Sequence, residues 1–241
     1  MIKARLLLDA VLDILYPRIN CILCDKPLEK GAAHGICNHC TDTLPFIYPP
    51  RCTVCSKPTE AENLMCKECR LHGHDYDQAL AVFEYSITIR ELIHRYKYGG
   101  EYSLSRTLGY FMSELLKQST WQVDMIIPVP LHKNRLKSRG FNQSALLGEY
   151  LSRRNGIPCE QEILIRSVDT KTQTGFNRYS RAVNLKNAFT IAKSDEIKLK
   201  NRNILLVDDV HTTGATADSC SKVLHRAGAN KVYVLTTALV L

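Results

Sequence analysis

Eight cysteines of this sequence are arranged as four Cys-x-x-Cys pairs, a pattern that can bind metal ions or take part in redox reactions. Twelve residues separate the first pair from the second and ten separate the third from the fourth. This spacing is typical of zinc ribbons, in which two short knuckles together supply four thiolates to a tetrahedral ion. We therefore predict two structural zinc ions, and the spacing leaves open whether the pairs combine in sequence order or crossed. The predicted ligands are Cys21, Cys24, Cys37, Cys40, Cys52, Cys55, Cys66 and Cys69.

Two alternatives to structural zinc use the same cysteines. A disulfide framework would need an oxidising compartment, and redox chemistry would usually need only one Cys-x-x-Cys pair. His34 and His39 lie close by and could replace a thiolate, but with eight cysteines available we interpret both histidines as surface residues. Because about fifty residues bury little core, we expect zinc to fold a small domain at residues 19–72.

The second chemically suggestive segment covers residues 208–216 and follows an apolar run at residues 204–207. A helix that begins in this segment would direct free N–H groups and the positive end of its dipole toward an anion. We predict a phosphate-binding loop here, with Asp208 and Asp209 beside it to bond the vicinal hydroxyls of a sugar, directly or through Mg2+. The alternative is an ordinary strand-turn-helix connection. The loop consists of Thr212, Thr213, Gly214, Ala215 and Thr216.

Alternating strands and helices must position these groups. We predict strands at residues 78–85, 125–129, 163–167, 188–191, 203–207 and 231–237, and helices at residues 87–98, 104–117, 142–154 and 215–227. This alternation predicts a parallel sheet covered by helices, in a large domain at residues 73–241. Residues 1–18 have the apolar spacing of an amphipathic helix, which would dock on the main domain or, alternatively, contact a membrane or a partner.

Composition and charge exclude several classes of protein. Hydrophobic residues make up 45% and charged residues 23%, values that argue against a disordered, collagenous or coiled-coil chain. The longest apolar stretch without a charge, at residues 232–241, is too short to span a bilayer. Asp9 and Asp13 interrupt the N-terminal apolar run, so no secretory signal is predicted and we expect a cytoplasmic location.

The net charge of +8 is unevenly distributed. Residues 90–181 contain 15 basic and 8 acidic residues, so the middle of the chain carries most of the excess. Two four-thiolate zinc sites would lower the total to about +4, which makes the ribbons the less basic part of the protein. The basic middle segment is either a surface for a polyanion or a solvated face.

The segment 204–216 resembles the ribose-5-phosphate loop of the type I phosphoribosyltransferases in its apolar run, paired acids and Thr-Thr-Gly-x-Thr sequence. The resemblance implies binding of 5-phosphoribosyl-1-pyrophosphate (PRPP) with Mg2+, the 5-phosphate on residues 212–216 and the ribose hydroxyls on Asp208 and Asp209. Pro128, Val129 and Pro130 occupy the place of the pyrophosphate loop in those enzymes. The loop at residues 169–180 occupies the place of their mobile catalytic hood, or is a short polar connector.

Further motifs resemble the ComF family, the ComFC-type late competence proteins. They include the four Cys-x-x-Cys pairs, the segment 96–100, Pro128-Val129-Pro130-Leu131 with Arg135 and residues 139–143, and Gln173, Arg178, Arg181 and Asn184. The resemblance implies an α/β fold in which a type I phosphoribosyltransferase-like parallel-sheet domain follows a small Cys-rich zinc-ribbon domain. It also implies a role in the uptake of transforming single-stranded DNA, in the cytoplasm or at the inner face of the membrane. The expected protein partner belongs to the uptake machinery, as a helicase or a recombination mediator.

Binding of a single strand requires a cationic track with aromatic faces for base stacking. Tyr96 and Phe141 could stack on bases, but their helical phase favours packing in the core. The lysines and arginines are the better candidates for DNA contacts, and they are Arg95, Lys97, Lys133, Arg135, Lys137 and Arg139.

Whether the protein is an enzyme is left open by the sequence. Phosphoribosyl transfer needs negatively charged side chains near the anomeric carbon and positively charged side chains near the departing pyrophosphate. The candidates are Asp208 and Asp209 for the first task and Lys171 and Arg178 for the second. No segment identifies an acceptor. Three functions therefore follow as hypotheses: a competence accessory protein that binds PRPP, an active phosphoribosyltransferase on an unidentified acceptor, and a regulator that senses PRPP.

Overall fold

The computed structural model describes residues 19–29, 32, 34–62, 64–169 and 187–241. The predicted helix at residues 1–18 lies outside the described residues, as does the predicted hood loop beyond Asp169. Lys171, Gln173 and Arg178 belong to that part of the loop, and Arg181 and Asn184 also lie outside the described residues. The predictions for these five residues are carried by the sequence alone.

The described elements alternate between helices and strands, as the sequence predicts. In chain order they are α1 (Asn38–Asp42), α2 (Lys67–His72), β1 (Gln78–Glu84), α3 (Ile87–Tyr98), α4 (Leu104–Gln118), β2 (Met125–Pro128), α5 (Lys133–Arg139), α6 (Gln143–Asn155), β3 (Leu164–Arg166), β4 (Phe189–Ile191), α7 (Lys193–Leu199), β5 (Asn203–His211), α8 (Ala215–Arg226) and β6 (Lys231–Leu239). Among the described residues, no helix combines the length and the apolar character that crossing a bilayer would require.

Four strands form a parallel sheet in the order β1-β6-β5-β2. The apolar run at residues 204–207 lies in β5 and is completely buried, with alternate side chains in the cores on the two faces of the sheet. Helices α3, α4 and α6 contribute to one core, and α8 contributes to the other. The predicted parallel sheet covered by helices is confirmed. Because β5 is buried on both faces of the sheet at residues 204–207, its sequence there is a continuous apolar run.

Three predicted features differ from the structure. Strands β3 and β4 were predicted in the parallel sheet, but they form a separate antiparallel pair. Each has only three residues and one buried side chain, so neither has the two buried faces of a strand inside the sheet. Helices α5 and α7 were not predicted, since each has seven residues and almost no apolar stripe from which a period could be read. Strands β5 and β6 continue past their predicted ends, because their ladder extends to the pair of His211 and Leu239.

The Cys-rich segment is packed against the sheet. Ile47 N–H donates to Val82 O at 2.9 Å and Glu84 N–H donates to Pro45 O at 2.8 Å, so the segment 45–47 covers the outer edge of β1. Covering an edge strand in this way removes a site at which another chain could pair. Helix α2 ends at His72, and the domain boundary after this residue stays a prediction.

Candidate functional sites

The two acids of the predicted loop lie on strand β5, since the strand extends to His211. Successive side chains of a strand point to opposite faces of the sheet, so Asp208 and Asp209 have different surroundings. Asp208 follows Leu206 toward the face covered by α8, and Asp209 follows Val207 toward the face covered by α3. The prediction treated the two carboxylates as one pair, whereas the strand separates them.

Asp208 lines a small recess together with Thr212, Gly214 and Thr216 of the predicted phosphate loop. Its Oδ1 accepts hydrogen bonds from Ser144 Oγ and from the Asp209 N–H, both at 2.9 Å. Burial and the charge of Asp209 raise the pKa of Asp208 to about 7, against the opposing effects of Lys97 and the two donors. Asp208 therefore changes its protonation state near neutral pH. The other lining residues are Val129, Leu206, Val210, His211, Thr212, Gly214, Thr216, Ala217, Val234 and Thr236.

Asp209 is only 4% exposed and forms an ion pair with Lys97, whose Nζ lies 2.8 Å from Oδ2. Burial acts against the Lys97 ammonium, but the attraction of Asp209 outweighs it and raises the pKa of Lys97. Lys97 was predicted as a DNA contact, and in the structure its ammonium is the counter-ion of Asp209. The ion pair leaves Asp208 as the carboxylate that lines the recess.

The phosphate loop connects β5 to α8 and has unused hydrogen-bonding groups. Gly214 begins the helix at φ +82°, and among the described residues no side chain caps the helix N-terminus. Thr213 Oγ1 is buried and finds no hydrogen-bond partner within the described part of the chain. Free helix N–H groups together with an unpartnered hydroxyl fit an anionic group such as a phosphate. Occupation of the loop by a ligand stays a prediction.

The turn after β2 lies beside this loop. Pro128 is opposite Val207 in the register of β2 and β5, and Val129 N–H donates to Val207 O at 2.9 Å. Parallel strands end at the same edge of the sheet, so the segment 128–130 and the phosphate loop are brought together. The contact of this segment with pyrophosphate stays a prediction.

The predicted DNA-contacting cations fall into two groups. Lys133 and Lys137 are exposed on α5, a helix with no buried residue, together with the partly exposed Arg135 and Arg139. The Arg139 guanidinium lies over the ring of Tyr98, 5.0 Å from its centroid.

Arg95, by contrast, is held by internal contacts. Its Nε and Nη2 each donate to the Glu101 carboxylate at 2.7 Å, and its Nη1 donates to Ile22 O at 2.9 Å. The predicted core packing of Tyr96 and Phe141 is confirmed, since both rings are buried.

Sequence reasoning missed two residues that interact with Asp208. Ser144 approaches from the start of α6, where nothing in the local sequence distinguishes its hydroxyl from a capping group. Arg166 comes from β3, and both burial and the neighbouring Arg135 lower the pKa of its guanidinium, whereas Asp208 acts in the opposite direction. An arginine inside an otherwise apolar strand was the available signal for Arg166.

The eight predicted zinc ligands form two clusters, each with all four sulfurs within 4.8 Å of one another. Pairs combine in sequence order: the first two pairs form one cluster and the last two form the other. All ten cysteines of the chain are free thiols. Four converging thiolates fit a tetrahedral zinc ion, and the predicted structural zinc sites are supported by this donor set.

Each cluster contains one sulfur that accepts two backbone N–H groups. Cys21 Sγ accepts from Leu23 and Cys37, at 3.5 and 3.4 Å, and Cys52 Sγ has the equivalent donors in the second cluster. Burial opposes ionisation, but these donors outweigh it and lower the pKa of Cys21 to about 6 and that of Cys52 to about 7. A lowered pKa favours the thiolate form that binds metal.

The two nearby histidines are not part of the clusters. His39 is exposed, as predicted. His34 is partly buried and packs between the rings of Tyr110 and Phe111, with centroids 5.1 Å from each, so its interpretation as a surface residue is wrong. Tertiary packing against α4, which the sequence around His34 does not encode, is the reason.

Comparisons with known proteins agree with both parts of the molecule. Residues 11–70 match the family model of the double zinc ribbon domain. The chain is 33% identical over 220 residues to Competence protein F of Haemophilus influenzae and 33% identical over 219 residues to DNA utilization protein YhgH of Escherichia coli, each alignment covering 89% of this chain and 94% of the relative. It is 31% identical over 228 residues to Competence protein ComFC of Streptococcus pneumoniae, covering 89% of this chain and 97% of the relative.

Among solved structures, the chain is similar to glutamine phosphoribosylpyrophosphate amidotransferase from B. subtilis, with 18% identity, a TM-score of 0.41, and coverage of 59% of this chain and 30% of that one. It is also similar to a purine phosphoribosyltransferase from Pyrococcus horikoshii, with 19% identity, a TM-score of 0.35, and coverage of 58% and 74%. Likenesses of this strength carry no information about function. The predicted α/β fold, a parallel-sheet domain preceded by a small Cys-rich zinc-ribbon domain, is confirmed.

Proposed function

Because this chain belongs to the ComF family of competence and DNA utilization proteins, we propose that it is a competence-associated protein that binds PRPP with Mg2+ and handles single-stranded DNA. The observation that carries the PRPP proposal is the recess in which the Asp208 carboxylate meets the uncapped start of α8. The names of the relatives support the DNA part of the proposal. A partner from the uptake machinery and a position at the inner membrane face belong to the same proposal.

In the proposed site, the N–H groups of residues 213–216 and the Thr213 hydroxyl hold the 5-phosphate. Asp208 accepts a hydrogen bond from a ribose hydroxyl, while Ser144 fixes the position of its other oxygen. Lys97 neutralises Asp209, which would otherwise repel the phosphates. Mg2+, when bound, supplies positive charge that screens the pyrophosphate. The turn 128–130 completes the pyrophosphate side of the recess.

The proposed DNA surface consists of α5 and Tyr98. Lys133 and Lys137 project from α5 into solvent and can follow a phosphate backbone. Tyr98 is 65% exposed and contacts Arg139 and the ring of His94, so a base could stack on the exposed part of its ring. Lys97 and Arg95 contribute less to this surface, because Asp209, Glu101 and Ile22 already bind their charged groups.

Calorimetric titration with PRPP and Mg2+ tests the ligand site. Asp208→Asn should weaken binding about 100-fold, because a hydrogen bond to a charged group contributes about 1.5–3 kcal/mol. Glu196→Gln is the matched control, since Glu196 is an exposed acid on α7 outside the recess. Absence of binding to the wild-type protein, or equal binding by the Asp208 variant, would refute the proposed site.

The pH dependence of PRPP affinity follows from the pKa of Asp208, which is raised to about 7. Below pH 7 the carboxyl takes up a proton and loses the charge that favours binding. We expect the affinity to fall by about fivefold between pH 7 and pH 6, and to change little above pH 8. Titration of PRPP itself is removed by comparison with Asp208→Asn, in which the protein part of the pH dependence should be absent.

DNA binding is tested with fluorescent single-stranded oligonucleotides at several salt concentrations. Replacing Lys133 and Lys137 by alanine should reduce the slope of log affinity against log salt by about 1.4, or about 0.7 for each lost phosphate contact. The matched control replaces Lys193 and Lys222, two exposed lysines outside α5. Affinity that does not depend on salt would contradict the proposal.

Base stacking is tested separately. Tyr98→Ala should weaken binding of the single strand about tenfold, in line with about 1–3 kcal/mol for each stacked base. Tyr48, which is 70% exposed on the ribbon segment, offers the same type of side chain away from α5. Tyr48→Ala should leave the affinity unchanged, and an equal loss in both variants would count against a defined stacking residue.

A second candidate function is phosphoribosyl transfer to an unidentified acceptor. Arg166 favours it, because a guanidinium whose charge interacts with Asp208 could stabilise departing pyrophosphate. Pyrophosphate release from PRPP should then require an acceptor and disappear in Asp208→Asn. If PRPP with Mg2+ instead changes the affinity for DNA without being consumed, the chain acts as a PRPP sensor.

A further inference from the structure

The segment that leaves the second zinc cluster lies directly on the first turn of α8. His74 follows the end of α2 by two residues, and its Nδ1 lies 3.0 and 3.1 Å from the two carboxylate oxygens of Asp218. The Asp75 N–H donates to the same carboxylate at 2.9 Å. The side chain of His74 is only 4% exposed. A buried polar contact of this kind spans 144 residues of sequence and joins the second ribbon to the helix that follows the phosphate loop.

His74 also covers the glycine at which the loop turns into the helix. A Cβ atom added to Gly214 would lie 2.7 Å from His74 Cε1, closer than any real side-chain contact. The imidazole therefore rests on the backbone of Gly214. Since Gly214 adopts a positive φ of +82°, its position sets the direction in which the N–H groups of the loop point.

Tyr76 extends the contact to the other end of the loop. Its ring stacks on His74 with a centroid distance of 4.4 Å, and its hydroxyl lies 3.0 Å from Nε2 of His211. His211 is the last residue of β5 and immediately precedes Thr212. The phosphate loop is thus held before its start by Tyr76 and after its end by His74.

We propose that His74 is a positioning residue that fastens the second zinc ribbon to the phosphate loop, so that the loop is preorganised only while this ribbon is folded. The proposal deepens the proposed function and rests on it, since PRPP is the ligand that the loop would bind. The first ribbon differs, because it contacts α4 through His34 and is not in contact with residues 212–218 among the described contacts.

Hydrogen exchange of the zinc-loaded, ligand-free protein tests the proposal without PRPP. His74→Ala should increase the exchange rate of the first hydrogen-bonded amides of α8 about tenfold, beginning with that of Asp218, which donates to Gly214 O at 2.8 Å. His74→Asn should restore part of the protection, because its amide can still donate to Asp218. His34→Ala is the matched control at the first ribbon and should leave these amides unchanged. Unchanged exchange of these amides in His74→Ala, or an equal increase in His34→Ala, overturns the proposal.

PRPP titration with Mg2+ provides the second measurement. His74→Ala should raise the Kd for PRPP about fivefold, a coupling in the range usual between linked sites, and His34→Ala should not change it. Equal Kd values for wild type and His74→Ala overturn the proposal. If the wild-type protein binds no PRPP, the proposed function fails, and the exchange experiment still decides the role of His74. Should His74→Ala fail to fold, Asp218→Asn removes the charge of the same contact and replaces it in both measurements.

Discussion

The two zinc ribbons have the same ligand set and nearly the same spacing, yet they are attached to the α/β domain in different ways. Ile36 and Leu44 of the first ribbon belong to the main hydrophobic core together with Phe83 and Phe111. The second ribbon has a small apolar cluster of its own, formed by Cys52, Cys55 and Cys69. It is linked to the domain by Val54, which packs against the second core, and by polar contacts that include that of His74 with Asp218.

Two metal sites with the same ligands can therefore have different roles in one protein. Apolar packing of the first ribbon removes surface from water and therefore contributes to the stability of the whole domain. Polar contacts of the second ribbon add less free energy, but they have defined directions and therefore fix the geometry of what they touch. We infer that the first ribbon stabilises the fold and that the second shapes the phosphate loop.

The largest expected effect comes from removing one zinc ligand in each ribbon. Cys40→Ser should lower the thermal unfolding midpoint by about 10 °C or more, because loss of a structural metal in the main core costs several kcal/mol and each kcal/mol shifts the midpoint by about 2–4 °C at this size. Cys69→Ser should lower it much less and unfold mainly its own ribbon. Calorimetry and measurement of zinc content test both variants. Equal shifts of the unfolding midpoint would contradict the proposed difference between the two ribbons.

An intermediate effect is expected at the polar contact of the first ribbon. Arg95→Ala removes the donor to Ile22 O and both hydrogen bonds to Glu101, which should cost about 2 kcal/mol in urea denaturation. Arg153→Ala breaks only an exposed pair with Glu149 on α6 and should cost less than about 0.5 kcal/mol. A negligible cost for Arg95→Ala would mean that apolar packing alone holds the first ribbon.

The smallest effect concerns linkage between zinc and PRPP. If the second ribbon preorganises the loop, PRPP with Mg2+ must raise the zinc affinity of that ribbon by the factor with which the ribbon favours PRPP, about fivefold. Competition with a zinc-selective chelator, followed by alkylation of released cysteines and mass spectrometry, distinguishes the two clusters. Protection of both clusters, or of the first alone, would contradict the division of roles.

Features that are encoded by residues close together in the chain could be predicted from the sequence. The spacing of the cysteines predicted the two four-sulfur clusters, and the apolar run before Asp208 predicted a buried parallel strand. Phosphate binding by the loop that follows stays a prediction. Helix α3 was predicted with its observed bounds because its apolar residues recur at helical spacing. Short α5 was missed, since seven residues with a single apolar one, Leu136, have no such period.

Contacts between residues that are far apart in the chain became known only from the tertiary structure. It placed Lys97 on Asp209, Ser144 on Asp208 and His74 on Asp218, and it brought the cysteine pairs together in sequence order. These contacts join residues up to 144 positions apart. Local patterns specify backbone conformation and the side that faces the core, whereas partners across the fold depend on how whole elements pack, which no short stretch of sequence contains.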